Sequence, residues 1–172
     1  MRLSTAKVIC AFPGMGKSYF YKKYKNSGIT ILDSDSSNFS WVWNITHTRK
    51  SNIRNLDFPQ NYINHIKDNL DKADVIFVSS HKEVRELLIE EKIEFDVVYP
   101  KVSRKTEMLE LYRDRGNNPE FIEILEKNFD DWIFEIVASE SEYQHKFALT
   151  ENTFIENLYK DEFNKRFKLH IE

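Results

Sequence analysis

The run KVICAF, Lys7–Phe12, is apolar and rich in strand formers. It leads directly into Pro13-Gly14-Met15-Gly16-Lys17-Ser18, after which Ser18–Lys25 has helical character. A strand that breaks at glycines and restarts as a helix leaves few options for this part of the chain. Its turn can wrap backbone N–H groups around phosphate oxygens, at a helix N-terminus that favours negative charge, and Gly14 and Gly16 permit the close approach. Lys17 is then placed to bridge outer phosphates, and the Ser18 hydroxyl to ligand a magnesium ion. The usual pattern is G-x-x-x-x-G-K-[ST], and Ala11 departs from it only at the first position. That position is on the strand side of the loop, where a methyl group is tolerated if the backbone angles are ordinary.

Four further runs, Ile29–Leu32, Asp74–Val78, Phe95–Tyr99 and Lys146–Leu149, are short, apolar and β-branched without clean alternation, as strands covered on both faces are. Helical patterns separate them. Ser18–Lys25 stops at Asn26, Ser27 and Gly28. In the next helix Asp57 can cap, Pro59 suits the first turn, and Tyr62, Ile63, Ile66 and Leu70 share a face. Spans 81–91, 106–115, 119–137 and 154–167 also have helical spacing. Alternation of this kind predicts an α/β domain with a five-stranded, mainly parallel sheet. The 172 residues, 41% apolar and 14% aromatic, fit a single domain spanning residues 1–172 with a real core.

Composition removes several classes of function. The 25 basic and 28 acidic residues are mixed along the chain and give a net charge of −3, which disfavours a dedicated nucleic-acid binder. Cys10 is the only cysteine and sits in an apolar run, so a buried core residue is expected, without a disulfide, in keeping with a reducing cytosol and a cytoplasmic location. The apolar stretch before Pro13 is too short for a secretory signal, and no run approaches the ~20 residues that span a bilayer. No membrane association is expected.

The second strand ends in LDSDSS, residues 32–37. One helix and a return strand separate it from the glycine loop, so a right-handed crossover places Asp33 and Asp35 at the same carboxyl edge of the sheet. The third strand ends in Ser79-Ser80-His81 and has no carboxylate to hold a metal, which argues against a motor or switch ATPase. His81 is a candidate substrate contact or helix cap. Residues 36–56 form a long, polar and aromatic interruption of the regular alternation, and are expected to bind substrate. Within them Phe39, Trp41 and Trp43 could stack a base or pack as core, and Arg49 and Arg54 could hold a phosphate. The span 101–119 supplies Arg104, Lys105, Arg113 and Arg115.

The loop A-F-P-G-M-G-K-S followed by L-D-S-D resembles the small P-loop kinases of the adenylate-kinase type, nucleoside monophosphate kinases among them. It also resembles the kinase domain of polynucleotide kinases, and compact kinases of this sort are common in bacteriophage genomes. The resemblance covers residues 7–37 well, the 101–119 region loosely and the insertion weakly. It implies a three-layer P-loop NTPase fold with helices on both faces of the sheet and a small helical lid at 101–119. It implies ATP and Mg²⁺ as cofactors, with ATP bound by Pro13, Gly14, Met15, Gly16, Lys17, Ser18 and Tyr19 and the metal by Ser18. Catalytic roles then fall to Lys17, to Asp35 or Asp33 as the base that activates the acceptor, and to Arg113 or Arg115 as lid cations. The acceptor is expected to be a small-molecule nucleotide. A hydroxyl acceptor benefits from a carboxylate that takes its proton, whereas a monophosphate needs cationic clamps, and the residues leave both open.

Overall fold

The computed structural model describes residues 5–168; residues 1–4 and 169–172 of the expected domain lie outside the described part. Five strands form one all-parallel sheet: β1 (Lys7–Ala11), β2 (Ile31–Asp33), β5 (Val75–Ser79), β6 (Phe95–Pro100) and β7 (Gln144–Leu149). Two more strands, β3 (Trp41–Trp43) and β4 (Lys50–Arg54), pair antiparallel as a separate hairpin. The helices are α1 (Lys17–Tyr24), α2 (Ser37–Ser40), α3 (Gln60–Lys67), α4 (Lys82–Glu90), α5 (Lys105–Asp114), α6 (Pro119–Ala138) and α7 (Ile155–Lys168). No described helix is long and apolar enough to cross a membrane.

Across the sheet the order is β2-β5-β1-β6-β7, so β1 is central. The helix after β1 leads toward the β2 edge and the helices after β6 lead toward the β7 edge, so the chain changes direction beside β1. In open α/β sheets ligands sit outside the carboxyl ends of the strands at such a point. Register puts Ala11 opposite Ser79 on one side and opposite Val98 on the other. The interior strands carry the apolar runs: Val75, Ile76, Phe77 and Val78 are fully buried, as are Val97 and Val98. At the edge β7 begins with the polar Gln144, His145 and Lys146, the last two exposed, which is why only Lys146–Leu149 reads as a strand in the sequence.

Helices cover the sheet in neighbouring pairs, α1 with α7, α3 with α4 and α5 with α6, an arrangement compatible with three layers. Phe20 of α1 meets Phe77 of β5 and Phe163 of α7 at ring centroid distances of 5.5 and 5.2 Å. Elsewhere Phe12 packs edge-on against Phe129 of α6 at 5.4 Å. Helix α6 starts with Pro119 at its first position and with the Asn118 side chain accepting from the Glu120 N–H at 2.8 Å. Its buried stripe runs Ile122, Leu125, Phe129, Ile133 and Ile136.

Two local expectations change. Asp57 does not cap α3: that helix begins after Pro59, and the Asp57 backbone carbonyl, rather than its carboxylate, receives the Asn61 N–H. The insertion is more regular than expected, since it contains α2 and the β3–β4 hairpin. Cys10 is buried as expected, and burial pushes its thiol up to about 12.

The aromatic junction between α1, β5 and α7 offers a test of this packing. Phe20→Ala removes a fully buried ring, and equilibrium urea denaturation should show a loss of about 3–5 kcal/mol. A loss below about 1 kcal/mol would mean that the two layers do not interlock through this ring.

Candidate functional site

Ala11 is the last residue of β1, 2% exposed, and its φ is not positive, so its methyl group fits the strand-side position without strain. The turn that follows uses left-handed backbone at Gly14 (φ 82°) and Gly16 (φ 94°), the latter being the N-cap residue of α1. No acidic residue occupies the first turn of α1. Its initial N–H groups and dipole therefore meet no internal anion from that turn.

The loop is held from outside by two other parts of the chain. Tyr112 of α5 donates its hydroxyl to the Pro13 carbonyl at 2.5 Å, and burial raises that phenol's pKa while the charges of Arg115 and Arg104 act in the other direction. A β-carbon at Gly14 would come within 2.7 Å of both Met108 and Tyr112. On the other side the Ile155 N–H donates to the Met15 carbonyl at 2.9 Å, and Phe154 lies 3.3 Å from where a Gly16 β-carbon would be. Met15 itself is fully buried, so only its backbone remains to serve a ligand.

Beside the loop, a cavity of about 580 Å³ opens between the carboxyl ends of β1 and β5 and the helices α4 and α6. Ala11, Phe12, Pro13 and Lys17 form one side, Ser79, Ser80 and His81 the strand end, and Arg85, Trp132 and Glu135 the helical walls. Lys17 is half-buried. Burial lowers the pKa of His81 first of all, reinforced by the nearby charges of Arg54 and Lys17 and opposed by Glu83. As a cap His81 contributes only its position before α4, because its side chain makes no capping bond.

The expected site residues divide in this geometry. Pro13, Lys17 and His81 line the cavity; Ser18 and Tyr19 are exposed on the first turn of α1. Asp33 and Asp35 are exposed at the carboxyl edge but are not on the cavity wall. Strand β2 is two strands away from β1, a separation of about 10 Å. Asp35 accepts from the Ser37 N–H at 2.9 Å and so shapes the turn into α2. This turn is tied to the sheet by Tyr62, which donates to the Ser34 carbonyl at 2.6 Å and accepts from the Ser79 N–H at 3.3 Å.

In the insertion, Phe39 packs against Tyr62 and His65 at centroid distances of 5.1 and 4.8 Å, so its ring belongs to the core margin. Arg54 lies over the Trp41 and Phe58 rings and approaches Glu83 to 3.6 Å, which links the hairpin to the start of α4. Lys50 lies over Trp43 and donates to the Ser37 hydroxyl at 2.6 Å. Arg49 is exposed on the hairpin loop. In the 101–119 region Arg113 lies 4.0 Å from Glu126, and Arg115 is exposed at the end of α5. Arg104 is fully buried and its charge is paired: it makes two hydrogen bonds to Glu107 at 2.9 and 2.7 Å, one to the Thr153 carbonyl at 2.9 Å, and stacks over Phe154. Its hydrogen bonds hold the Glu107 carboxyl below the usual carboxylate range. Arg104 is therefore a clamp between α5 and the β7–α7 connection.

Reading the sequence missed Arg85 and the cavity role of Trp132, since RELL and DDW sit in regular amphipathic helices and give no sign of what faces them. Among the described residues no group of three or more His, Cys, Asp or Glu side chains is arranged to hold a metal ion. A metal at this site would therefore depend on Ser18 together with ligand oxygens. Comparison with known proteins finds no family model that matches the chain and no matching curated protein.

The outer clamp on the loop can be tested against an internal control. Gly14 and Gly28 both have φ above +80°, but a β-carbon at Gly28 has nothing within 4 Å. Gly28→Ala should cost about 1–2 kcal/mol of backbone strain, and Gly14→Ala clearly more, as read by thermal and urea unfolding. Equal losses would mean that Met108 and Tyr112 yield freely.

Proposed function

We propose that the chain is an ATP-dependent phosphotransferase with a P-loop kinase fold, which passes the γ-phosphoryl group of ATP to a nucleotide, foremost a nucleoside or deoxynucleoside monophosphate. The observation that carries this reading is the Gly14–Ser18 turn at the carboxyl end of the central strand, with Lys17 facing a cavity large enough for a small acceptor. The parallel order β2-β5-β1-β6-β7 supports it by placing that turn where the chain reverses direction.

In the transfer, an acceptor oxygen attacks the γ-phosphorus, the bond from that phosphorus to the β–γ bridging oxygen breaks, and ADP leaves. The fixed N–H groups of the loop and the Lys17 ammonium stabilise the charge that spreads over the transferring group. A magnesium ion held by the Ser18 hydroxyl and the phosphate oxygens would neutralise part of that charge. Pro13, Gly14, Met15 and Gly16 contribute backbone to the donor site, with Tyr19 beside it. Arg115 is the cation of the α5–α6 turn best able to reach the transferring group, because Arg113 already faces Glu126. Asp33 and Asp35 orient the acceptor, with Trp41, Arg49 and Arg54 lining the way in from the insertion, Phe39 supporting that element from the core margin, and His81 at the cavity.

The exposed carboxylates of Asp33 and Asp35 favour one second reading, a 5′-hydroxyl kinase acting on nucleosides or on nucleic-acid ends, in which one of them takes the hydroxyl proton. A panel of deoxynucleoside monophosphates, nucleosides and 5′-hydroxyl oligonucleotides, offered with ATP and Mg²⁺ while ADP release is followed, separates the two. The monophosphates should stimulate release. Stimulation by hydroxyl acceptors alone would select the second reading, and no stimulation by any acceptor would leave a nucleotide-binding regulatory protein.

Lys17→Ala should lower turnover by about 10²–10³; full turnover in that variant would mean that the loop is not the donor site. Arg115→Ala should reduce the turnover number more than ATP affinity, and unchanged turnover would remove it from the mechanism. Asp35→Asn should abolish transfer to a hydroxyl and only weaken transfer to a monophosphate; normal transfer to a hydroxyl in that variant would move the base role to Asp33 or remove it.

A further inference from the structure

Among the described residues two arginines are almost completely buried, and they are satisfied very differently. Arg104 has a carboxylate on its fork, as described above. Arg85, on α4, is 2% exposed and donates from Nε to the Ser80 carbonyl at 3.1 Å and from Nη1 to the Gln144 amide oxygen at 3.4 Å. Among the described residues no carboxylate forms an ion pair with it. Burial is the main influence on its charge and works against it, with Cys10, Glu135 and Glu86 acting in the other direction. A guanidinium nevertheless stays ionised in proteins, so Arg85 is a fixed positive charge with unused donors on a cavity wall. Leaving a charge buried without a counter-ion is costly, and a ligand anion removes the cost.

A second observation points to the same place. The Ser79 hydroxyl is buried without a hydrogen-bond partner, and Ser79 lines the same cavity, opposite Ala11 in the sheet. Lys17 enters from the loop side. Glu83, Glu86 and Glu135 also border the cavity, but they are exposed; Glu83 approaches Arg54, and none of the three forms an ion pair with Arg85 or Lys17. Trp132, half-buried on the α6 wall, adds the apolar surface that a base or sugar needs.

We infer that Arg85, Ser79 and Lys17 form an oxyanion site that grips the phosphate already carried by the acceptor, so that the substrate class is nucleoside monophosphates and not uncharged nucleosides. The assignment of this anion to an acceptor rests on the kinase reading above; the anion site itself does not. Arg85 acts as a binding residue fixed in place before the ligand arrives, in contrast to the exposed arginines of the α5–α6 turn.

Calorimetric titration of the purified protein tests the inference, with deoxynucleoside monophosphates, the matched nucleosides, inorganic phosphate and ATP–Mg²⁺ as probes. Monophosphates should bind about ten- to hundredfold tighter than the matched nucleosides. Arg85→Met should erase that gap and leave ATP binding in place. Ser79→Ala should narrow it less, and Arg85→Lys should retain part of it. If Arg85→Met does not fold, by its unfolding transition, the other two variants decide.

Equal binding of nucleosides and monophosphates by the unaltered protein would overturn the inference. So would a folded Arg85→Met protein that keeps the gap, an unchanged gap in both remaining variants, or no binding of any monophosphate or phosphate while ATP binds. The kinase reading fails separately: ATP binding indifferent to Lys17→Ala, with phosphate binding that still depends on Arg85, removes the donor site and keeps the anion site.

Discussion

A turn that offers its backbone amides to a ligand depends for its geometry on what packs against it from outside. Here that support comes from the absence of side chains at Gly14 and Gly16. The bare Gly14 lets Met108 and Tyr112 approach, Tyr112 secures the Pro13 carbonyl, and Phe154 and the Ile155 N–H close on the other side at Gly16 and Met15. The buried fork of Arg104 joins α5, through Glu107, to the β7–α7 connection, through Thr153. Glycine thus serves twice in this loop, once for the left-handed backbone and once for the contact that keeps the turn rigid. Rigid donors are what electrostatic stabilisation of a transferring group requires.

The main sheet and the loop were legible in the sequence because a strand covered on both faces is apolar along most of its length, and β1, β5 and β6 are, apart from Lys7, Ser79 and Asp96. The β3–β4 hairpin was not legible. A strand with one partner and much solvent has no need of an apolar run, and Lys50-Ser51-Asn52-Ile53-Arg54 is largely exposed. Asp33 and Asp35 were found at the correct edge, since topology alone puts them there. Their distance from the cavity depends on the strand order, because β5 lies between β2 and β1.

Arg85 shows the opposite limit. Its neighbours Glu83, Glu86 and Glu90 read as the charged face of a surface helix, yet Arg85 falls on the side that meets the gap between α4 and α6. What decides its burial is the position of another helix, far along the chain, and the start of β7 at Gln144. No local pattern encodes that. Arg104 likewise reads in the sequence as one of several cations of the 101–119 span, whereas its contacts make it a fixed internal brace.

The hairpin has a consequence for how the molecule comes apart. Its strands pair only with each other, and a few links attach it to the body: Trp43 to the Asn38 carbonyl, Lys50 to Ser37, the Asn55 N–H to Ser40, and Arg54 to Glu83. Ile45 and Leu56 at its ends lie almost entirely in water. Opening this element breaks few contacts and uncovers little of the core, while opening the central sheet exposes all of it. The native state therefore has two energetic tiers, a core that unfolds as a whole and a peripheral hairpin that can unlatch on its own.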